Sequence, residues 1–221
     1  GTLFMPNKII LINKRYFHLD TLEGWTTLLT DGKEIERTYF SRGLRNGLSI
    51  FRYSSGNISE IKSYVNDTLN GLYMRYNDSG MVREQSYYLN GKKNGVSSNF
   101  NSFGMISSTL SYKLGIPIGT ATYYWPNGKI KFKGKYSGSY LRLKFNQLTN
   151  KLEVYNSSNR IIDLNKEFNE KTKTEILKSL PSAILPNVDY FYYLKAGKWQ
   201  YYDNRGQIQI IISYSTSGNI K

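Results

Sequence analysis

Few side chains in this sequence can do acid–base, nucleophilic or metal chemistry. His18 is the only histidine and there is no cysteine. That excludes a disulfide scaffold, a thiol nucleophile, every cysteine metal site and any multi-histidine centre. A Ser-His-Asp triad would have to use His18, in the stretch Lys14-Arg15-Tyr16-Phe17-His18, and no serine stands in a strand–Ser–turn elbow. Paired carboxylates can hydrolyse glycosides, and Glu34, Glu36, Glu60 and Glu84 are the candidates. Glu60 and Glu84 fall 24 residues apart, at one position of a repeat, which reads as a solvent-exposed ladder. The glycines keep a hairpin spacing and form no phosphate-binding loop. The expectation is a noncatalytic chain with no metal and no cofactor.

Charge is the second chemistry on offer. Lys+Arg number 30 against 16 Asp+Glu, a formal +14 with a pI near 9.7, so the chain attracts polyanions. Residues 85–152 hold ten basic side chains and no acidic one. Lys129, Lys131, Lys133 and Lys135 alternate strictly, and on a strand all four share one face, opposite Ile130, Phe132 and Tyr136. Arg142 and Lys144 are expected to extend the patch onto an adjacent strand. Tyr123, Tyr124 and Trp125 stand near it as rings that stack on sugars or bases. Such a stripe has two readings. It keeps a sheet face wet and its edge unpaired, or it recognises acidic protein, anionic lipid, phosphorylated glycan or nucleic acid. No nucleic-acid-binding signature accompanies it, so specific nucleic-acid binding is not expected.

The elements that must position these residues follow from a repeat. Gly47, Gly71, Gly95 and Gly119 are spaced by 24. Nine residues after each comes Gly56, Gly80, Gly104 or Gly128; seventeen after each comes Tyr64, Tyr88, Tyr112 or Tyr136. Gly197, Gly206 and Tyr214 restore the same spacings downstream. Gly24, Gly32 and Phe40 form an early copy with one residue lost from its turn, and Asn150 to Asn159 form a degenerate one with Asn standing for Gly. Asn tolerates positive φ, so the exchange is physically sensible. Each unit reads as a β-hairpin. The inner glycine ends a tight turn with positive φ, an aliphatic follows it two residues on (Ile58, Val82, Ile106, Ile130, Ile208), and the outer Asn-Gly or Gly marks the connection to the next hairpin. A row of about seven hairpins shares one apolar strip that a lone hairpin lacks.

These landmarks resemble the bacterial variant of the MORN repeat, and the best match is Trp125-Pro126-Asn127-Gly128-Lys129-Ile130-Lys131-Phe132-Lys133-Gly134-Lys135-Tyr136. The resemblance covers residues 24–136 and 197–214. It implies an all-β repeat protein, an elongated, twisted antiparallel sheet of consecutive 24-residue hairpins. It also implies a scaffold or accessory binding role, often described as that of an antitoxin, and it carries over no catalytic residue.

The expected organisation is an N-terminal strand or cap at 1–23, hairpin repeats at 24–136, a degenerate repeat plus helix at 137–196 and a C-terminal hairpin or cap at 197–221. Lys8–Asn13 reads as a strand. One helix is expected over about 165–180, capped by Asn165 and stopped by Pro181, with Pro186 keeping the next stretch extended. No run of 18 apolar residues occurs, so no membrane-spanning helix is expected. No signal peptide is visible and Gly1-Thr2 lacks an initiator Met, so a cell-envelope or secreted location, if a signal sequence has been removed, stands beside a cytoplasmic one. The sequons at Asn57, Asn66 and Asn156 carry little weight in so Asn-rich a chain. The partner expected is a protein, acidic by complementarity. The alternatives are a partner enzyme neutralised by an antitoxin or immunity-type protein, and anionic lipid or glycan met by the basic face.

Overall fold

The computed structural model describes residues 16–18, 21–182, 185 and 188–221. The expected strand at 8–13, the His18 side chain and Pro186 lie outside the described residues. The chain forms two compact units, residues 1–106 and 107–221.

The first unit is an antiparallel sheet in chain order. Its strands are β1 (Tyr16–His18), β2 (Thr21–Thr30), β3 (Lys33–Ser41), β4 (Leu44–Arg52), β5 (Ile58–Val65), β6 (Thr68–Tyr76), β7 (Val82–Leu89), the short β8 (Lys92–Lys93) and β9 (Gly95–Phe100). Two kinds of turn alternate. In the wider one, the first residue's N–H bonds the fifth residue's carbonyl and the glycine N–H bonds back to the first: Tyr53 with Asn57 and Gly56, then Asn77 with Met81 and Gly80, then Asn101 with Met105 and Gly104. All three glycines have positive φ, as expected for the inner turn.

The other kind corrects the expected outer connection. Asn46-Gly47 does not make it; the chain reverses four residues earlier. Two-residue loops do so at Arg42-Gly43, Asn66-Asp67 and Asn90-Gly91, with positive φ at both positions of each, the geometry of tight hairpin turns. Gly47 and Gly71 instead sit inside β4 and β6, where the register slips against the preceding strand. A bulge there needs positive φ and close backbone approach: a Cβ on Gly71 would lie 3.1 Å from Ser63 Cβ. The spacing of seventeen also gains a cause, because Gly47 lies directly across from Tyr64, and Gly71 from Tyr88.

Among its described residues the first unit buries no apolar side chain. Its buried groups are hydroxyls: Thr38, Ser49, Ser86 and Ser97. Thr38 and Ser49 approach to 3.0 Å and Ser86 and Ser97 to 2.7 Å, while Thr38 and Ser86 donate to Glu36 and Glu84. Hydroxyls satisfy one another cheaply where the pleat leaves no room for larger groups.

The second unit holds the apolar core. Its strands are β10 (Ile106–Lys113), β11 (Ile116–Tyr124), β12 (Ile130–Asn146), β13 (Lys151–Asn156), β14 (Asp189–Tyr202) and β15 (Ile208–Tyr214), with α1 (Leu164–Glu167) and α2 (Glu170–Lys178) between β13 and β14. The order is β10-β11-β12-β14-β15, and β13 pairs only the far half of β12. One cluster gathers Leu110, Ala121, Trp199 and Tyr214 with Tyr123, Phe132 and Tyr136 around them. The other joins Leu141, Leu143, Val154 and Leu194 to Phe168 and Ile176 of the helical segment. Trp199 lies flat over Gly134, where a Cβ would fall 2.2 Å from the ring, and its Nε1 donates to the Lys135 carbonyl at 3.0 Å.

The single helix expected at 165–180 is two. Asp163, not Asn165, caps the first, accepting from the Asn165 N–H, and Phe168 is extended. Asn169 then caps the second, accepting from the Thr172 N–H at 3.0 Å. Two good N-caps six residues apart divide one helical pattern. In the degenerate copy, Asn150 and Asn159 have φ of 51° and 61°, and Asn159 fills the glycine place of the wide turn.

Neighbouring wide turns clasp each other. In the first unit the Tyr53 hydroxyl donates to the Tyr76 carbonyl, 23 residues on. In the second, Trp125 Nε1 donates to the Tyr202 carbonyl and Asn127 Nδ2 to that of Asn204, each 77 residues on. The β14–β15 hairpin therefore takes the next place in the row, and the intervening chain is an insertion carrying the helices.

Candidate binding face

Helix α2 defines two sides of the second unit's sheet. Ile176 packs in the Leu141–Leu143 cluster, while Glu175 bonds Lys195 Nζ at 2.5 Å and the Tyr214 hydroxyl at 3.0 Å, next to Trp199. Both clusters thus lie on the helix side. On β12 that side takes Phe132, Tyr136, Leu141 and Leu143. The alternate residues Lys131, Lys133, Lys135, Tyr140, Arg142 and Lys144 face away. The irregularity at 137–139, with Gly138 at φ 83°, restores the alternation between the two halves.

The open side is built from cross-strand neighbours. Lys133 lies between Thr122 and Gln200, Lys135 between Thr120 and Ala196, and Arg142 between Tyr155 and Phe191. The Lys131 ammonium sits 4.6 Å above the Trp125 ring and that of Lys133 5.7 Å above Tyr202, contacts that hold cations without neutralising them. Beside them β14 bulges at Ala196–Lys198, and a hollow of about 330 Å³ opens, lined by Thr120, Lys133, Lys135, Lys198 and Gln200 over the backbone of Gly134 and Gly197. Among the described residues no carboxylate lies within ion-pair distance of Lys131, Lys133, Lys135 or Lys198. The acidic partners in this unit go to Arg142, Lys173 and Lys195.

The sequence-predicted residues separate. Lys131, Lys133 and Lys135 share the open side. Lys129 belongs to the wide turn, where its Nζ bonds the Arg205 carbonyl at 2.8 Å. Arg142 and Lys144 are on the same strand as the lysines, not an adjacent one, because β12 continues unbroken to Asn146. The Arg142 guanidinium bonds Asp189 and Asn159 and lies 4.2 Å over the Tyr155 ring. Tyr123 faces the helix side, stacked 4.3 Å from Phe132; Trp125 lies at the turn beneath Lys131. Lys198 and Gln200 were missed because a bulge in a distant strand brings them alongside. Their shared parity in Lys198-Trp199-Gln200, flanking the buried Trp199, was the available signal.

The carboxylates are not a free ladder. Glu84 is pushed up by burial, but Lys93 at 2.6 Å and Ser86 outweigh that and leave its carboxyl below the usual range. Glu60 binds Lys62 and accepts from the Tyr73 hydroxyl. On the helix side, burial pushes Glu175 up, and Lys195, Tyr192 and Tyr214 bring it below its ordinary value. Burial first and Glu175 second hold the Tyr192 and Tyr214 hydroxyls far above theirs, so both stay protonated donors. Among the described residues no group of three or more His, Cys, Asp or Glu side chains is placed to hold a metal, and no helix is long and apolar enough to cross a membrane.

Fold and face together define an antiparallel repeat sheet of consecutive hairpins carrying a short helical insertion. Residues 69–92, 117–137 and 195–221 match the MORN repeat variant family, a match to part of the chain. No curated protein matches. Among solved structures, a mutant of S. aureus TarM in complex with fondaparinux, alpha-GlcNAc-glycerol and UDP aligns at 12% identity and a TM-score of 0.29. The alignment covers 48% of this chain and 19% of that one, a likeness too slight to carry an argument.

Proposed function

We propose that this chain is a noncatalytic binding module and that the open side of its second unit is the contact surface for a polyanionic partner. The observation that carries the reading is the lysine row. Among the described residues Lys131, Lys133, Lys135 and Lys198 have no counter-ion, while Lys195 and Arg142 in the same unit are paired. Four ammonium groups kept together and unneutralised attract an anion better than scattered ones. The candidate carboxylates are each engaged within the sheet, Glu34 by Arg52, Glu36 by Thr38, Glu60 by Lys62 and Glu84 by Lys93.

Charge reversal tests it. The Lys131→Glu/Lys133→Glu double variant should melt like the parent, because both side chains are on a wet face. It should lose binding to a polyanion, poly-L-glutamate being the simplest probe, and the parent's affinity should fall steeply between about 50 and 200 mM salt. Equal affinity of parent and variant at low salt would reduce the row to a solubilising face.

A further inference from the structure

We infer that the open side of the second unit binds a linear anionic glycan laid along β12, a proposal that rests on the reading of the lysine row as a contact surface. Three observations converge. The first is shape. The unpaired cations lie mostly in a line along β12, with Lys198 to one side on β14. Lys131, Lys133 and Lys135 follow one another on a single strand, about 7 Å apart, whereas Lys144, farther along, lies between Glu153 and Asp189. A folded acidic protein meets its partner over a compact patch of roughly 800 Å²; a row of three lysines on β12 with Lys198 of β14 beside it is narrower and suits a polymer.

The second is an aromatic platform farther along the same side. Tyr140 lies 5.6 Å from Phe191 and 6.3 Å from Tyr193, at 60° and 66°, and Tyr155 stands next to Arg142. The opposite faces of these strands are sealed by Leu141, Leu143 and Leu194, so the rings serve no core. Phe191 is 50% exposed and has no polar atom to justify it. The apolar face of a pyranose packs on such rings, and rings tilted against one another suit its puckered rim better than a flat base.

The third is the pairing of cation with neutral hydrogen-bonding groups. The hollow between the lysines carries the Thr120 hydroxyl and the Gln200 amide, and Arg142 is locked in place by Asp189 and Asn159. Hydroxyls, acidic groups and apolar ring faces recur along an acidic polysaccharide, and the open side offers a partner for each: Thr120 of β11 and Gln200 of β14 for hydroxyls, the lysines of β12 for acidic groups and the Tyr140–Phe191 rings for ring faces.

The test uses the whole chain and three probes of similar length and charge: an oligogalacturonate of about ten residues, roughly the length of β12, poly-L-glutamate, and oligo(dT). Neutral dextran is the control. The oligogalacturonate should bind more tightly than either other polyanion. Phe191→Ala should weaken it about tenfold while leaving poly-L-glutamate within twofold, and Phe191→Tyr should restore it. Lys133→Gln with Lys198→Gln should weaken both. If poly-L-glutamate or oligo(dT) binds as tightly, or Phe191→Ala leaves the glycan unaffected, the glycan assignment is overturned while the anion-binding surface stands. If none of the three binds, the surface reading falls with it.

Discussion

The Glu175 carboxylate shows most directly how one side chain holds an insertion to a sheet. It ties α2 to β14 and β15 through Lys195 and Tyr214. A carboxyl whose folded pKa lies below its unfolded one stabilises the fold above the unfolded value, and that contribution vanishes as pH falls through the folded pKa. Glu175 and Glu84 both belong to this class. Urea midpoints measured against pH should therefore drop below about pH 4.5. Glu175→Gln should cost about 1–3 kcal/mol at neutral pH and flatten the acid limb; a variant with the parent's full acid dependence would assign that limb to other carboxyls. Glycine supplies a second contrast. Gly80→Val meets open space and only backbone strain, worth roughly 1–2 kcal/mol. Gly134→Ala drives a methyl into the Trp199 ring and should cost about 3 kcal/mol, the upper end of overpacking, read as a larger drop in Tm and a changed tryptophan emission.

At the level of elements, the hairpins were legible because their turns repeat. Ile58, Val82, Ile106, Ile130 and Ile208 each open a strand where expected. What the spacing concealed was which glycine turns the chain. The tight loops keep a glycine at their second position in Gly43, Gly91 and Gly115, but Asp67 breaks the run and the first position varies from Arg42 to Asn66 to Leu114, so their pattern is weaker than that of the bulge glycines, which Gly47, Gly71, Gly95 and Gly119 keep without a slip. The bulge keeps its glycine because both φ and the opposing side chain demand it; a two-residue loop accepts Arg, Asn or Leu at modest strain. The candidate face was half legible. Strict alternation placed Lys131, Lys133 and Lys135, but Arg142 was assigned to another strand because nothing local reveals that β12 runs for seventeen residues. The break between α1 and α2 turns on Asn169. Its side chain caps Thr172 and also reaches the Ile220 carbonyl at 2.5 Å, and its N–H bonds Asn219. Asn169→Ala should lower stability by about 1–2 kcal/mol, measured by denaturant, and Asn169→Asp should recover much of the cap.

For the molecule as a whole, the two units differ in what holds them. The first relies on paired hydroxyls and half-buried rings; the second has Trp199, Leu141, Leu143 and Ile176 fully buried. Amide exchange should be slowest in β12 and β14 and faster throughout β2–β7, because local opening costs least where few apolar contacts are lost. Uniform protection would contradict that division. The clasp between distant turns has a mechanical side. Stretched from its ends, a chain of consecutive hairpins yields as a ladder of even jerks, each releasing 24 residues, about 80 Å of contour. Where Trp125 and Asn127 hold Tyr202 and Asn204 across 77 residues, the ladder has a missing rung. When β14 leaves β12 the insertion between them is released as well, so an optical-trap record of this protein should carry a single long extension among the short ones.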